Sequence, residues 1–176
     1  MIRQRIWQFW VAIRAAINEN DQAFLRKHLS VPERLLFFTM TVPEQRHALN
    51  VAYTALYLAG QEKQQIQKEL LIRVSLLHDV GKICGDTRIF SKIMTVFADH
   101  FCPNLARRWE RQGKGTFRQN ICHVLYVYYH HAELSQEKLL ALGLDELAEI
   151  VAAHHKAPAK EDSPELSLLR KADDMN

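Results

Sequence analysis

A histidine and an aspartate stand side by side at the end of an apolar run, in the stretch LLIRVSLLHDVGKICGD (residues 70–86). The pair is His78-Asp79, and Gly81 and Lys82 follow it closely. An ionised carboxylate among apolar side chains is costly unless a partner compensates its charge. A metal ion is the commonest partner that also uses the neighbouring imidazole. The pair therefore predicts a metal site whose other ligands must come from the rest of the chain.

Further imidazoles and a carboxylate fall on the apolar faces, or at the inward ends, of other predicted helices. They are His47, His131, the pair His154-His155 and Asp173. A lone histidine in such a place is more often a hydrogen-bonded core residue than a ligand. Five helices that each direct such a group to the core instead indicate a metal site inside a helix bundle. Imidazoles and carboxylates without thiolates suit iron, manganese, zinc or nickel.

The remaining histidines are predicted to be structural or surface residues. His28 and His100 fall near predicted helix ends, without a partner. His123 and His130 share a face that is rotated away from His131. We therefore expect at most one of His130 and His131 to be a ligand.

Apolar residues recur at helical spacing along most of the chain, while glycine, proline and β-like alternation are scarce. The fold is therefore predicted to be all-α. The clearest helix begins at Thr41-Pro43 and ends at a glycine stop, Gly60. Further helices are predicted in residues 1–29, 62–80, 87–101, 120–131 and 135–142, and two more begin at Asp145 and Ser163.

The composition is that of one globular domain. The chain has 176 residues, of which 48% are apolar and 24% charged, so it can bury a sizeable core. A net charge of +3 is too small to predict a nucleic-acid site or a membrane surface by itself. Three cysteines without a C-x-x-C motif suit a reducing cytoplasm. Neither a signal peptide nor an apolar run of membrane-spanning length is recognisable, and the predicted location is the cytoplasm.

Two segments have an open role. Residues 2–17, which include Trp7 and Trp10, show an amphipathic helical pattern. A helix that caps the core or forms a homodimer seam is the favoured interpretation, because amphipathicity is the default for surface helices; a membrane-surface or partner anchor is the alternative. The basic segment 107–118 fits a flap that attracts phosphate as well as it fits a solvated loop.

The series His47, His78-Asp79 and Asp173 resembles the H…HD…D signature of the HD-domain superfamily of metal-dependent phosphohydrolases, which are helical bundles. The resemblance covers roughly residues 32–176. It implies an HD domain in residues 31–176 with an added amphipathic helix in residues 1–30. HDVGK stands where HDIG-type members often carry HDIGK, and short stand-alone bacterial members are similar.

The downstream stretch HHAELSQEKLLALGLDELAEIVAAHH is similar to the segment between the H-P-E-x-G and HH motifs of HDIG-type and HD-GYP-type members. Ala132 and Ser135 replace the proline and the glycine of the first motif, which is a mild departure. No G-Y-P element follows His155, so the main reason to expect a cyclic dinucleotide substrate is missing.

The resemblance implies two divalent metal ions. One ion would be bound by His47, His78, Asp79 and Asp173. The other would be bound by His131, His154 and His155, with Asp79 as the bridge. A metal-activated water would attack phosphorus, with Asp79 and Lys82 as the catalytic residues and Lys82 as the phosphate contact.

The expected partner is a small phosphorylated substrate, such as a nucleotide or another phosphometabolite, cleaved as a monoester or diester. Two other functions stay open. One is a regulatory module that binds metal and ligand without turnover. The other is an oxygen-using di-iron enzyme.

Overall fold

All regular elements of the described chain are α-helices. The computed structural model describes residues 17–82 and 117–176, and the prediction of an all-α fold is confirmed there. Seven helices follow one another in these ranges: α1 (Glu19–His28), α2 (Val31–Phe37), α3 (Val42–Ala59), α4 (Lys68–Leu77), α5 (Phe117–Leu140), α6 (Asp145–Ala153) and α7 (Pro164–Met175). None of these helices is both long and apolar enough to cross a membrane.

Polar caps define where the first three helices begin. Asn18, Ser30 and Thr41 are the N-cap residues of α1, α2 and α3, and each belongs to a capping box. In α3 the Thr41 backbone N–H donates to a Glu44 carboxylate oxygen at 2.9 Å. Gly60 is the C-cap of the same helix. The predicted start and stop of α3 are therefore confirmed.

The hydrophobic core is centred on α3 and α4. Helix α7 packs against both, α5 packs against α6, and α6 packs against α4. Leu49 of α3, Leu71 and Leu77 of α4, Val151 of α6 and Leu169 of α7 are all completely buried. Burial of this much apolar side chain fixes the ends of α4 and α6 beside α3 and α7.

Two arginines attach α1 and α2 to the bundle. Arg46 of α3 binds the buried carboxylate of Asp21, and Arg73 Nε of α4 donates to Glu33 Oε1 at 2.8 Å. Burial alone would raise the pKa of Glu33, but hydrogen bonds from Ser30 and Arg73 lower it below its ordinary value of 4.5. Both arginines therefore form structural ion pairs.

Helix α1 packs onto the same core as the rest of the bundle. Leu25 and Leu29 are buried in that core, and Ile17 packs against it. The domain boundary at residue 30 stays a prediction. The amphipathic pattern before Ile17, the predicted helix 87–101 and most of the basic segment 107–118 lie outside the described residues.

Two predicted helices have different bounds in the structure. Helix α4 begins at Lys68 rather than near residue 62 and ends at Leu77, so His78 is its C-cap. The predicted helices 120–131 and 135–142 form one continuous helix, α5. The residues between them, Ala132 to Leu134, favour helix, and Ser135 does not cap a new helix because its hydroxyl binds elsewhere.

Candidate metal centre

The seven predicted ligands come together in one place. His47 projects from α3, His78 and Asp79 follow the end of α4, His131 projects from α5, His154 and His155 follow the end of α6, and Asp173 projects from α7. The buried members are His78, Asp79, His131 and His154. Five helices thus contribute to one cluster, as the sequence pattern predicts, while the role of each residue as a ligand stays a prediction.

His47, His78 and Asp173 form the first group. His47 Nε2 lies 2.9 Å from Asp173 Oδ1, and His78 Nε2 lies 3.6 Å from the same oxygen. One ligand atom from each residue lies within 4.8 Å of the other two. This spacing allows a single metal ion to be bound by all three side chains.

His131, His154 and His155 form the second group, again with ligand atoms within 4.8 Å of one another. The Nε2 atoms of His131 and His155 are 2.7 Å apart. The His131 and His154 rings are 5.6 Å apart between centroids. Three imidazoles that converge in this way offer nitrogen ligands to a second ion.

Asp79 lies between the two groups. Its Oδ2 atom is 3.6 Å from His78 Nε2 and 4.0 Å from His47 Nε2, on the side of the first group. Its Oδ1 atom is 3.5 Å from His131 Nε2, on the side of the second group. One carboxylate therefore presents one oxygen to each group, which is the geometry that a bridging ligand requires.

Three of the histidines are oriented by the same backbone contact. The Nδ1 atoms of His78, His131 and His154 lie 2.9, 2.8 and 2.5 Å from carbonyl oxygens three residues earlier in the chain. A carbonyl can only accept, so each Nδ1 carries the proton and donates it. In the neutral imidazole each Nε2 then presents its lone pair to the centre, which is the usual arrangement of metal-binding histidines.

The innermost polar atoms have no hydrogen-bond partner among the described residues. These atoms are His78 Nε2, His154 Nε2 and Asp79 Oδ1. A buried polar atom without a partner costs about 1–3 kcal/mol, and such atoms are rare in native proteins. Divalent metal ions would satisfy all three, so the residues present fit the metal that the sequence pattern implies.

The profile of the HD domain matches residues 45–175. This range contains every predicted ligand and about three quarters of the chain. The chain belongs to the HD-domain family. Searches of curated proteins and of solved structures returned no match. HD domains bind divalent metals and are generally metal-dependent phosphohydrolases, although some are non-catalytic.

The carboxylates of this HD domain are held in their ionised form. Burial opposes ionisation of Asp79, but the Lys82 ammonium and the neighbouring His78 hold its pKa well below the usual range. The Lys82 Nζ atom is 2.8 Å from Asp79 Oδ2, and 24% of the lysine side chain is exposed. Burial likewise opposes ionisation of Asp173, and its contacts with His47 and His78 lower its pKa.

The imidazoles divide into two classes. Burial, together with the positive charges nearby, lowers the pKa of His131 well below its usual range and that of His154 to about 3. Burial also lowers the pKa of His155. The pKa of His78 is raised, because Asp79 and Asp173 outweigh its burial. The second group is therefore neutral near pH 7, as metal ligands must be.

The other described histidines lie outside the groups of candidate ligand atoms. His28 binds Glu69 through Nδ1 at 2.9 Å, so the expectation that it has no partner is wrong. The His130 ring stacks on Tyr126 with 4.5 Å between centroids, while its neighbour His131 faces the centre. His100 lies outside the described residues.

Arg170 holds the end of α6, and sequence analysis did not identify it. Its Nη2 donates to the Ala153 carbonyl at 2.8 Å and its Nε to the His154 carbonyl at 3.1 Å, while Asp162 binds Nη1. The Ala153 carbonyl also accepts from the Lys156 backbone N–H at 2.9 Å. Arg170 lies three residues before Asp173 on α7, so the helical spacing could have indicated its place near the centre.

Proposed function

We propose that this HD domain is a phosphohydrolase that cleaves a phosphomonoester or phosphodiester of a nucleotide or small metabolite. The observation that carries the proposal is the position of Asp79, with one oxygen toward each group of histidines. A carboxylate shared by two ions is the core of a dinuclear hydrolytic site. The partnerless ring nitrogens of His78 and His154 support the same assignment.

The proposal assigns one ion to each group. The first ion would be held by His47, His78, Asp79 and Asp173. The second would be held by His131, His154 and His155, with Asp79 shared. Nitrogen and carboxylate oxygen ligands favour iron, manganese, zinc or nickel over magnesium or calcium.

When bound, the metal ions would lower the pKa of water and neutralise charge on the phosphoryl oxygens. The protein holds the ligand atoms in fixed directions through the backbone contacts of the histidines. Lys82 and His78 hold the pKa of Asp79 well below its usual range, so its carboxylate is ionised near pH 7 and places a negative charge between the two groups. That charge favours cations at the centre.

Lys82 is the phosphate contact of the proposal. Burial alone would lower the pKa of Lys82, but Asp79 raises it, so the ammonium stays charged. The side chain is partly exposed next to the centre, where its N–H groups can reach both Asp79 and an anionic substrate. An ammonium in this position would bind a phosphoryl oxygen and stabilise the charge that develops during cleavage.

The test is hydrolysis of p-nitrophenyl phosphate and bis-p-nitrophenyl phosphate by the protein loaded with Mn²⁺. We expect turnover of at least one ester, complete loss in Asp79→Ala, and a loss of about 10²-fold in kcat for Lys82→Gln. Lys171→Gln is the matched control, because this lysine lies exposed on α7 and should leave kcat unchanged. Full activity of the Asp79→Ala variant would refute the mechanism.

Failure of the wild-type protein to cleave either ester would remove the hydrolase assignment. Metal and nucleotide binding without turnover would then favour a regulatory module. Bound iron with a mixed-valence signal would favour a di-iron oxygenase instead.

A further inference from the structure

The turn after α4 lies directly against α5. The Gly81 backbone N–H donates to Ser135 Oγ at 2.8 Å, and both groups are buried. This contact joins the turn that carries His78 and Asp79 to the helix that carries His131. Ser135 is one of the two positions at which the sequence departs from the H-P-E-x-G motif.

The approach of the two backbones is as close as a glycine allows. A Cβ atom added at Gly81 would lie 2.3 Å from the His131 carbonyl oxygen and 2.9 Å from the Ser135 backbone nitrogen. A Cβ atom at residue 81 would therefore require one of the two backbones to shift. The turn therefore packs directly against α5 at His131, which belongs to the second group.

A second contact from α5 reaches the preceding residue of the turn. Lys138 Nζ donates to the Val80 carbonyl oxygen at 2.5 Å. His131, Ser135 and Lys138 follow one another at steps of four and three, so they share one face of α5. That face binds two consecutive backbone groups of the turn, a carbonyl and an N–H.

These contacts matter because α5 packs most extensively against α6 among the described helices, and at most weakly against α4. The second group is thus carried largely by α5 and α6, whereas Asp79 belongs to the end of α4. The 3.5 Å distance between His131 Nε2 and Asp79 Oδ1 therefore separates a residue of α5 from a residue at the end of α4. Ser135 and Lys138 provide polar contacts between α5 and the turn after α4, close to these two residues.

We infer that Ser135, together with Lys138, is a positioning residue that sets the distance between Asp79 and His131. Its role is to let one carboxylate serve both ions. The inference rests on the proposed metal centre, but it concerns the second ion specifically. The first group lies on α3, α4 and α7, which pack extensively against one another.

The test compares Mn²⁺ binding by the wild-type protein and by Ser135→Ala, using titration calorimetry and low-temperature electron paramagnetic resonance. The variant leaves the Gly81 N–H without its acceptor. We expect affinity for the second ion to fall about 10–100-fold while affinity for the first is unchanged. At two equivalents of Mn²⁺, the spin-coupled signal of the metal pair should weaken accordingly.

Ser167→Ala is the matched control. Ser167 lies exposed on α7 and is not a predicted ligand. This substitution should leave both affinities and the spin-coupled signal unchanged. Lys138→Met removes the second contact from a partly exposed position, so it gives the answer if Ser135→Ala does not fold.

Each outcome separates the inference from the proposed function. Two ions bound with wild-type affinities by Ser135→Ala and Lys138→Met would overturn the positioning role and leave the metal centre intact. Equal weakening of both ions would also overturn it, because the serine would then act on the whole fold. A wild-type protein that binds fewer than two ions would refute the dinuclear centre itself.

Discussion

Replacing Asp79 with asparagine tests the electrostatics of the centre without changing its shape. Asp79→Asn keeps the size of the side chain but removes the negative charge. That charge pairs with the Lys82 ammonium at 2.8 Å and faces His78 and His131. The substitution should therefore lower the unfolding free energy of the metal-free protein, and it should also weaken metal binding.

The size of the first effect follows from burial. Removing one partner of a buried ion pair costs about 3–5 kcal/mol. Because the Lys82 side chain is 24% exposed, water can solvate the ammonium after Asp79 is replaced. We therefore expect the lower end, about 3 kcal/mol. At about 2–4 °C per kcal/mol for a chain of this size, the metal-free protein should lose about 6–12 °C in Tm.

The second effect appears when metal is added. Free Mn²⁺ at 100 times the Kd stabilises a protein by about 2.7 kcal/mol per site. One occupied site should therefore raise the wild-type Tm by about 5–11 °C. Asp79→Asn should lose most of this increase, since it removes the ligand that both ions share.

Differential scanning calorimetry with and without Mn²⁺, after removal of bound metal by a chelator, measures both effects. Asp174→Asn is the matched control, because Asp174 lies exposed on α7. It should retain both the wild-type Tm and the increase with metal. An Asp79→Asn variant with the full increase would refute the assignment of Asp79 as a shared ligand.

Three further predictions test the framework around the centre. Gly81→Ala should lower the unfolding free energy in urea by about 1–3 kcal/mol, because the new Cβ would meet the His131 carbonyl at 2.3 Å. Arg170→Lys should lower the unfolding free energy by about 1.5–3 kcal/mol and weaken Mn²⁺ binding. The reason is that the lysine loses one of the two contacts to the end of α6 beside His154. Unchanged unfolding in urea would contradict this prediction. Glu33 has a folded-state pKa below its ordinary value of 4.5, so its contribution to stability is complete above about pH 4.5 and is lost as the pH falls through the folded pKa. Glu33→Gln should therefore destabilise the protein at pH 7 and flatten the acid side of its stability profile, measured by urea unfolding between pH 7 and pH 3.

The sequence predicts that the candidate ligands lie together, because they follow helical periodicity. His47 lies on the apolar face of α3, and Asp173 lies on that of α7, so each had to face the core. His78-Asp79 was recognisable from the cost of a carboxylate in an apolar run. The structure adds what periodicity cannot supply, which is the distance of Asp79 from each group.

The predictions that failed concern residues whose partners are distant in the sequence. Residues 132–134 carry no helix breaker, yet the spacing of apolar residues changes there, so one helix was predicted as two. The sequence predicts Ser135 only as the first residue of a helix, because its contact with Gly81 forms only in the folded chain. Arg170 and Glu69 likewise have roles that depend on residues brought near only by folding. Local propensity cannot identify such contacts.

The central claim is that two ions share Asp79, and the most direct measurement is metal content. The protein should be stripped with a chelator, equilibrated with excess Mn²⁺, freed of unbound metal and analysed by inductively coupled plasma mass spectrometry. We predict about two ions per chain, and about one or fewer in His154→Ala. One ion or none in the wild-type protein would contradict the dinuclear centre.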